Sequence, residues 1–164
     1  MSTQYLLKPA VLVRNPDITV TRQDYLDAKR CHKQLFEAFE IELAFDFVIK
    51  NYIEIEKYIA EHLVLDMTGQ TRAPDSFRQQ QWGFIRTLNN WLASISFWRD
   101  LTRNRLVSIC GRGPELKVFN EVHEKLQKEE FVYAFIFQLR NYSQHAGFPV
   151  TGGLACPHSV VHVL

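Results

Sequence analysis

The chain has 164 residues and a formal net charge of +1, so no global field draws it to nucleic acid or to a membrane surface, and any RNA contact must be a local patch. At 46% hydrophobic and 23% charged it has the composition of one globular domain, and its 12 phenylalanines require either a core of bulky rings or a partner to cover the surplus. With only 7 glycines and 6 prolines it suits long helices better than turn-rich β structure.

In chain order, residues from about 8 to 20 hold Pro9, Asn15-Pro16-Asp17 and the alternation Ile18-Thr19-Val20, which predicts a short extended arm or edge strand. From Thr21 to Leu65 there is no Gly or Pro, and Phe36, Phe39, Leu43 and Phe47 step by three and four, continued by Val48, Tyr52, Ile55, Ile59 and Leu63. A single helix of about 40 residues is unusual in a small domain, so a break is expected before Phe36, leaving a helix from about Leu35 to Leu65. A polar loop from Asp66 to Pro74 follows, with Asp75 or Ser76 as N-cap of a second helix reaching about Val107. Trp82, Ile85, Leu88, Leu92, Ile95 and Trp98 or Arg99 form its inward face, and the tryptophans Trp82, Trp91 and Trp98 are read as core.

Gly111-Arg112-Gly113-Pro114 is a stop, and Pro114 is placed to begin a third helix using Leu116, Phe119, Val122 or His123, and Leu126. A fourth runs from about Phe131 to Ala146, continuous with the third or joined to it at Glu129-Glu130. Its residues Phe131, Val132, Tyr133, Phe135, Ile136, Phe137 and Leu139 surround it with apolar groups, the pattern of a helix buried in a core or against another subunit. Gly147 and Pro149 end it. Beyond them Val160 to Leu164 reads as a terminal strand or docked arm. The expected fold is all-α, an antiparallel four- to five-helix bundle. It forms one domain with a core over about 21–149, a short extended N-terminal arm over 1–20 and an irregular tail over 150–164.

The three cysteines, Cys31, Cys110 and Cys156, form no CxxC pair, and Met1-Ser2-Thr3-Gln4 lacks the basic and apolar runs of a signal peptide. A reducing, cytoplasmic setting is therefore expected, with no membrane partner, since charges break every apolar run. Arg99, Arg103, Arg105, Arg112 and Lys117 make the richest basic patch, opposed by Asp100 and Glu115, and read as a solvated helix end. Gly111-Arg112-Gly113 lacks the further glycines and lysine of a phosphate loop, and His123-Glu124 lacks the second histidine of a zinc protease helix. Cys156, His158 and His162 supply three possible ligands where structural zinc sites use four, so no metal and no cofactor is expected. His32 and His123 are read as satisfied core or surface histidines.

Leu139-Arg140-Asn141-Tyr142-Ser143-Gln144-His145 differs from the rest. It puts a guanidinium, a carboxamide and an imidazole in the last turns of an apolar helix. Asn141 and His145, four apart, share a face, whereas Arg140 and His145, five apart, point differently and converge only by a swing of the arginine stem or across an interface with a second copy. An arginine fork matches two phosphate oxygens, and a histidine can take or give a proton near neutrality. RNA brings its own nucleophile, the 2′-hydroxyl, so such a pair suits phosphodiester transfer without a metal.

Arg140, Asn141 directly after it, and His145 four residues beyond Asn141 resemble the signature of the HEPN superfamily, the higher eukaryotes and prokaryotes nucleotide-binding domain. That signature is Arg, then four to six residues, then His, with Asn, Asp or His favoured directly after the arginine. The resemblance covers about Phe131 to Pro149. It implies a four- or five-helix bundle, a homodimer with both motifs in one cleft, and metal-independent endoribonuclease activity in toxin–antitoxin, abortive-infection or CRISPR-linked systems, with an antitoxin or regulatory protein as a further partner. It implies Arg140 and His145 as catalytic, supported by Asn141. Tyr142, Ser143 and Gln144 are candidate substrate contacts. Other members are non-catalytic binding modules, and that alternative stays open here: the intact motif favours the enzyme, the near-neutral charge the module.

Overall fold

The computed structural model describes residues 5–7, 18–70 and 74–147. Two three-residue strands, β1 (Tyr5–Leu7) and β2 (Ile18–Val20), pair antiparallel, with Tyr5 opposite Val20. Four helices follow: α1 (Arg22–Met67), α2 (Pro74–Cys110), α3 (Pro114–Glu129) and α4 (Phe131–His145). The all-α bundle and the extended arm expected from the sequence are both present.

The expected break before Phe36 is absent. α1 is one helix of 46 residues, about 69 Å long at 1.5 Å per residue. Its start is fixed by a capping box in which Thr21 Oγ1 accepts from the Asp24 amide at 3.1 Å while Asp24 Oδ2 accepts from the Thr21 amide at 3.0 Å. The Arg30–Asp27 ion pair and the Gln23–Asp27 hydrogen bond, both 3.0 Å, support the first turns, and the Tyr5 ring lies 4.9 Å from that of Tyr25. With no breaker in its sequence and these local ties, the helix has no cause to stop. Gly69, at φ 71°, adopts the left-handed conformation that ends it.

α2 runs back along α1. Moving forward on α1, the partners move backward on α2: Gln34 Nε2 donates to the Ile109 carbonyl, Glu37 accepts from Ser108 Oγ at 2.7 Å, and Glu40 pairs with Arg105 at 2.8 Å. Then the Phe45 and Trp98 rings approach to 5.5 Å and those of Tyr52 and Trp91 to 5.8 Å, and Ile55 meets Leu88 and Leu92. The seam is thus polar at one end and apolar in its middle. Small residues let the two helices close in: Ala44, Ser94, Ser96 and Thr102 are all buried. Ser94 and Thr102 turn their hydroxyls back onto the carbonyls of Trp91 and Trp98, each at 2.7 Å, so neither leaves an unpaired donor.

Gly111, at φ 75°, ends α2, and Pro114 opens α3 at its first turn, as the sequence predicts. Glu130 alone separates α3 from α4. Its amide donates to the Leu126 carbonyl, closing α3, and its carbonyl accepts from the Ala134 amide, opening α4. α4 packs Ile136 and Leu139 onto the core of Ile55, Leu88 and Leu92.

Much apolar surface is left uncovered. Of α4 only Phe137 is buried, while Phe131, Val132 and Phe135 are 79%, 66% and 43% exposed. On α1, Leu35, Phe36, Phe39, Leu43 and Phe47 form a stripe exposed to between 41% and 72%. Trp82, expected in the core, is exposed, and Trp91 and Trp98 are half-buried. No helix among the described residues is long and apolar enough to cross a membrane. α2 begins at Pro74, so Asp75 and Ser76 lie within its first turn and neither is the expected N-cap, because the proline's fixed φ already suits a first helical position. The Pro149 stop, the tail strand and the Cys156, His158 and His162 set lie outside the described residues.

Candidate active site on the last helix

The apolar pattern of α4 sets which side chains reach the bundle. Tyr133, Phe137 and Arg140, spaced by four and three, share the side that meets α2 and α3. Arg140 is accordingly half-buried. Its Nη1 donates to Asn141 Oδ1 at 3.3 Å, and its Nε is shut off from solvent without a hydrogen-bond partner. The neutralising partner a structural arginine would take, such as Glu129, Glu130 or a residue of α1, does not engage it: among the described residues Arg140 has no ion pair.

His145 closes α4 and is exposed, as are Asn141, Tyr142 and Gln144. Ser143 Oγ donates to the Arg140 carbonyl at 2.9 Å, and the Tyr142 carbonyl accepts from the Ala146 and Gly147 amides, so this last turn is held by its own backbone. The structure brings Arg140 and Asn141 together. It does not join Arg140 to His145, which is five residues and about 140° farther round the helix. Within one chain these two groups do not grip one phosphate.

The basic patch is largely neutralised. Arg105 pairs with Glu40, Lys117 with Glu121 at 3.7 Å, and Arg99 with Asp100 at 2.8 Å. Arg103 and Arg112 are exposed without ion pairs among the described residues. No group of three or more metal-ligating side chains is gathered among the described residues.

A cluster beside Arg140 was not legible in the sequence. His123 of α3 and Tyr133 of α4 meet through His123 Nδ1 and Tyr133 Oη at 2.5 Å. Both rings lean on Phe137, at 5.5 and 5.0 Å, and the Arg99 guanidinium of α2 covers the Phe137 face at 4.8 Å. Burial pushes the His123 imidazole below its ordinary value, and the Arg99 charge adds to that, while Asp100 and Glu124 oppose it. Burial pushes the Tyr133 phenol up, so it keeps its proton and donates it to a neutral imidazole. His123 is thus a satisfied histidine that ties α3 to α4. The only sequence signal was its place on the inner side of α3, since its partner lies ten residues away across a helix break.

The pH dependence follows. Unfolded His123 takes up a proton as pH falls through about 6.5, whereas the folded residue does so only at lower pH. Between these values the unfolded state binds more protons, so stability is full above about pH 6.5 and falls as pH drops toward the folded value. Melting temperatures measured from pH 8 to pH 5 should decline on the acid side by a few degrees, and His123→Phe should remove that share of the slope. An unchanged slope in His123→Phe would exclude this assignment.

In comparisons with known proteins, no family model, no characterised protein and no solved structure matches this chain.

Proposed function

We propose that this chain is a HEPN-type endoribonuclease that cleaves single-stranded RNA as a homodimer without a metal, in a toxin or anti-phage defence setting under control of a partner protein. The observation that carries this reading is the state of Arg140: a half-buried guanidinium that among the described residues has no carboxylate to neutralise it and a side-chain hydrogen bond to Asn141 alone, on the helix that ends in an exposed His145. A guanidinium held half out of water without a counter-ion is left open to an anion, and a phosphate supplies that charge.

In the reaction His145 takes the proton of the 2′-hydroxyl. The 2′-oxygen attacks phosphorus, the bond to the 5′-oxygen breaks as that oxygen takes a proton from water, His145 returns its proton to solvent, and the products are a 2′,3′-cyclic phosphate and a 5′-hydroxyl end. Arg140 neutralises the charge that builds on the phosphoryl oxygens, and Asn141 holds the guanidinium in place. Tyr142 and Gln144, exposed beside the pair, contact the RNA chain in this reading.

A second copy supplies what one chain lacks. The half-exposed rings of Phe36, Phe39 and Phe47, with Leu35 and Leu43, offer about 500 Å² at roughly 200 Å² per full aromatic side chain. Self-pairing of such a stripe buries about 1,000 Å² in total, the size of a weak, reversible interface. The same surface favours a second reading, a non-catalytic module that docks another protein.

The test is incubation of a mixed single-stranded RNA with the purified protein in EDTA, with its mass in solution measured in parallel. Cuts that leave 2′,3′-cyclic phosphate ends are expected. No cleavage by a folded, dimeric protein would abandon the enzyme for the docking module.

A further inference from the structure

Near the far end of the α1–α2 seam, the facing stripes change character. Through the middle they are apolar, but the next turns carry Tyr58, His62 and Leu65 on α1 against Gln79, Gly83 and Arg86 on α2. These residues, with Gln70 and Gln80, line a cleft of about 360 Å³, within the range of small-ligand sites. Leucines at such seam positions would add core, so polar groups there break the local pattern where function commonly does.

The cleft has a built floor. The Tyr58 and His62 rings stack at 4.0 Å and 22°. Tyr58 Oη donates to the Gln80 carbonyl at 2.8 Å, and His62 Nδ1 lies 2.8 Å from the Tyr58 carbonyl. A carbonyl only accepts, so Nδ1 carries the proton there, and Nε2 is left for a ligand. Gly83 makes the floor possible: a Cβ at that position would collide with the Tyr58 ring. A glycine inside a helix costs about 1 kcal/mol relative to alanine, so its use here is tied to this ring.

The rest of the lining donates. Arg86 is exposed, has no ion pair or hydrogen bond among the described residues, and lies close enough to the Tyr58 phenol to oppose the rise that burial causes. The side-chain amides of Gln70, Gln79 and Gln80 likewise make no hydrogen bond to a described residue. No carboxylate lines the cleft. One fixed cation and three carboxamides, with no carboxylate in the lining and Glu61 acting on the Tyr58 phenol only from outside it, match a ligand rich in acceptor oxygens and negative charge. We infer that this cleft binds the phosphate group of a small phosphate ester, with Arg86 and the glutamine carboxamides gripping its oxygens and His62 Nε2, an acceptor in this tautomer, set against a hydroxyl of the ester.

The inference stands apart from the ribonuclease reading, because the cleft shares no residue with Arg140, Asn141 or His145. The test is calorimetric titration of the full chain with adenosine monophosphate, with adenosine as the phosphate-free control and a short single-stranded RNA as competitor. Saturable binding of the monophosphate is expected, at least tenfold tighter than adenosine, and weakened at least tenfold in Arg86→Gln. Arg86→Gln should keep its helical circular dichroism, since Arg86 has no ion pair or hydrogen bond to lose among the described residues. His145→Ala should bind the monophosphate as the wild type does. Competition by RNA would identify the phosphate as one of a nucleic acid chain, and its absence as that of a free ester. Equal binding of adenosine, undiminished binding by Arg86→Gln, or a loss confined to His145→Ala would each overturn the assignment.

Discussion

Leu92→Ala is expected to lower the unfolding free energy by about 3–5 kcal/mol. Leu92 is 1% exposed and is the largest side chain fully closed off among the described residues. It sits with Ile55 of α1 and Leu88 of α2 under Ile59, Phe84, Trp91, Ile136 and Leu139, and so joins three helices at one point. Two of the covering residues are stiff rings, and the helices cannot all close on the same void, so the cavity persists. Set against the 5–15 kcal/mol that holds a typical domain together, this is a large share. Urea titration with an unchanged slope measures it, and Leu92→Met, which conserves volume, should cost less than about 1.5 kcal/mol. A loss below about 1 kcal/mol for Leu92→Ala would mean that this cluster is not the core in solution.

His145→Ala should lower metal-independent RNA cleavage by about 10²–10⁴-fold, and Arg140→Lys by about 10²–10³-fold. The histidine is the proposed proton carrier and lies exposed at the end of α4, so its removal leaves packing intact. Lysine retains the charge of Arg140 but not the fork that spans two phosphate oxygens, nor the planar group that reaches Asn141 Oδ1. The two variants therefore separate proton transfer from phosphate geometry. Full cleavage by a well-purified His145→Ala protein would remove the residue from the mechanism.

The helices could be read from the sequence because their punctuation is local. Thr21 with Asp24, Gly111 with Pro114, and the apolar steps of α1 and α2 each act within a few residues. The continuity of α1 was misjudged from its length, although nothing between Thr21 and Leu65 could have interrupted it. Burial was less legible. Phe36, Phe39 and Phe47 step with helical spacing, yet in one chain they face solvent, because periodicity names a sticky face and not what covers it. At the candidate site, the Arg140–Asn141 bond was within reach of adjacent residues. The meeting of Arg99, His123, Tyr133 and Phe137 draws on three helices and leaves no trace in spacing.

The single-residue joint at Glu130 has a consequence for how this chain can vary. Its φ of −106° and ψ of 103° are extended values open to any ordinary residue, and its side chain is exposed, so many amino acids would serve there. Chain length at that point is a different matter. Adding or deleting one residue would turn α4 by about 100° about its axis and take Phe137 and Arg140 off the side that meets α2 and α3. Related chains that keep the site should therefore tolerate many letters at this position but almost no change in the count of residues between Leu126 and Tyr133.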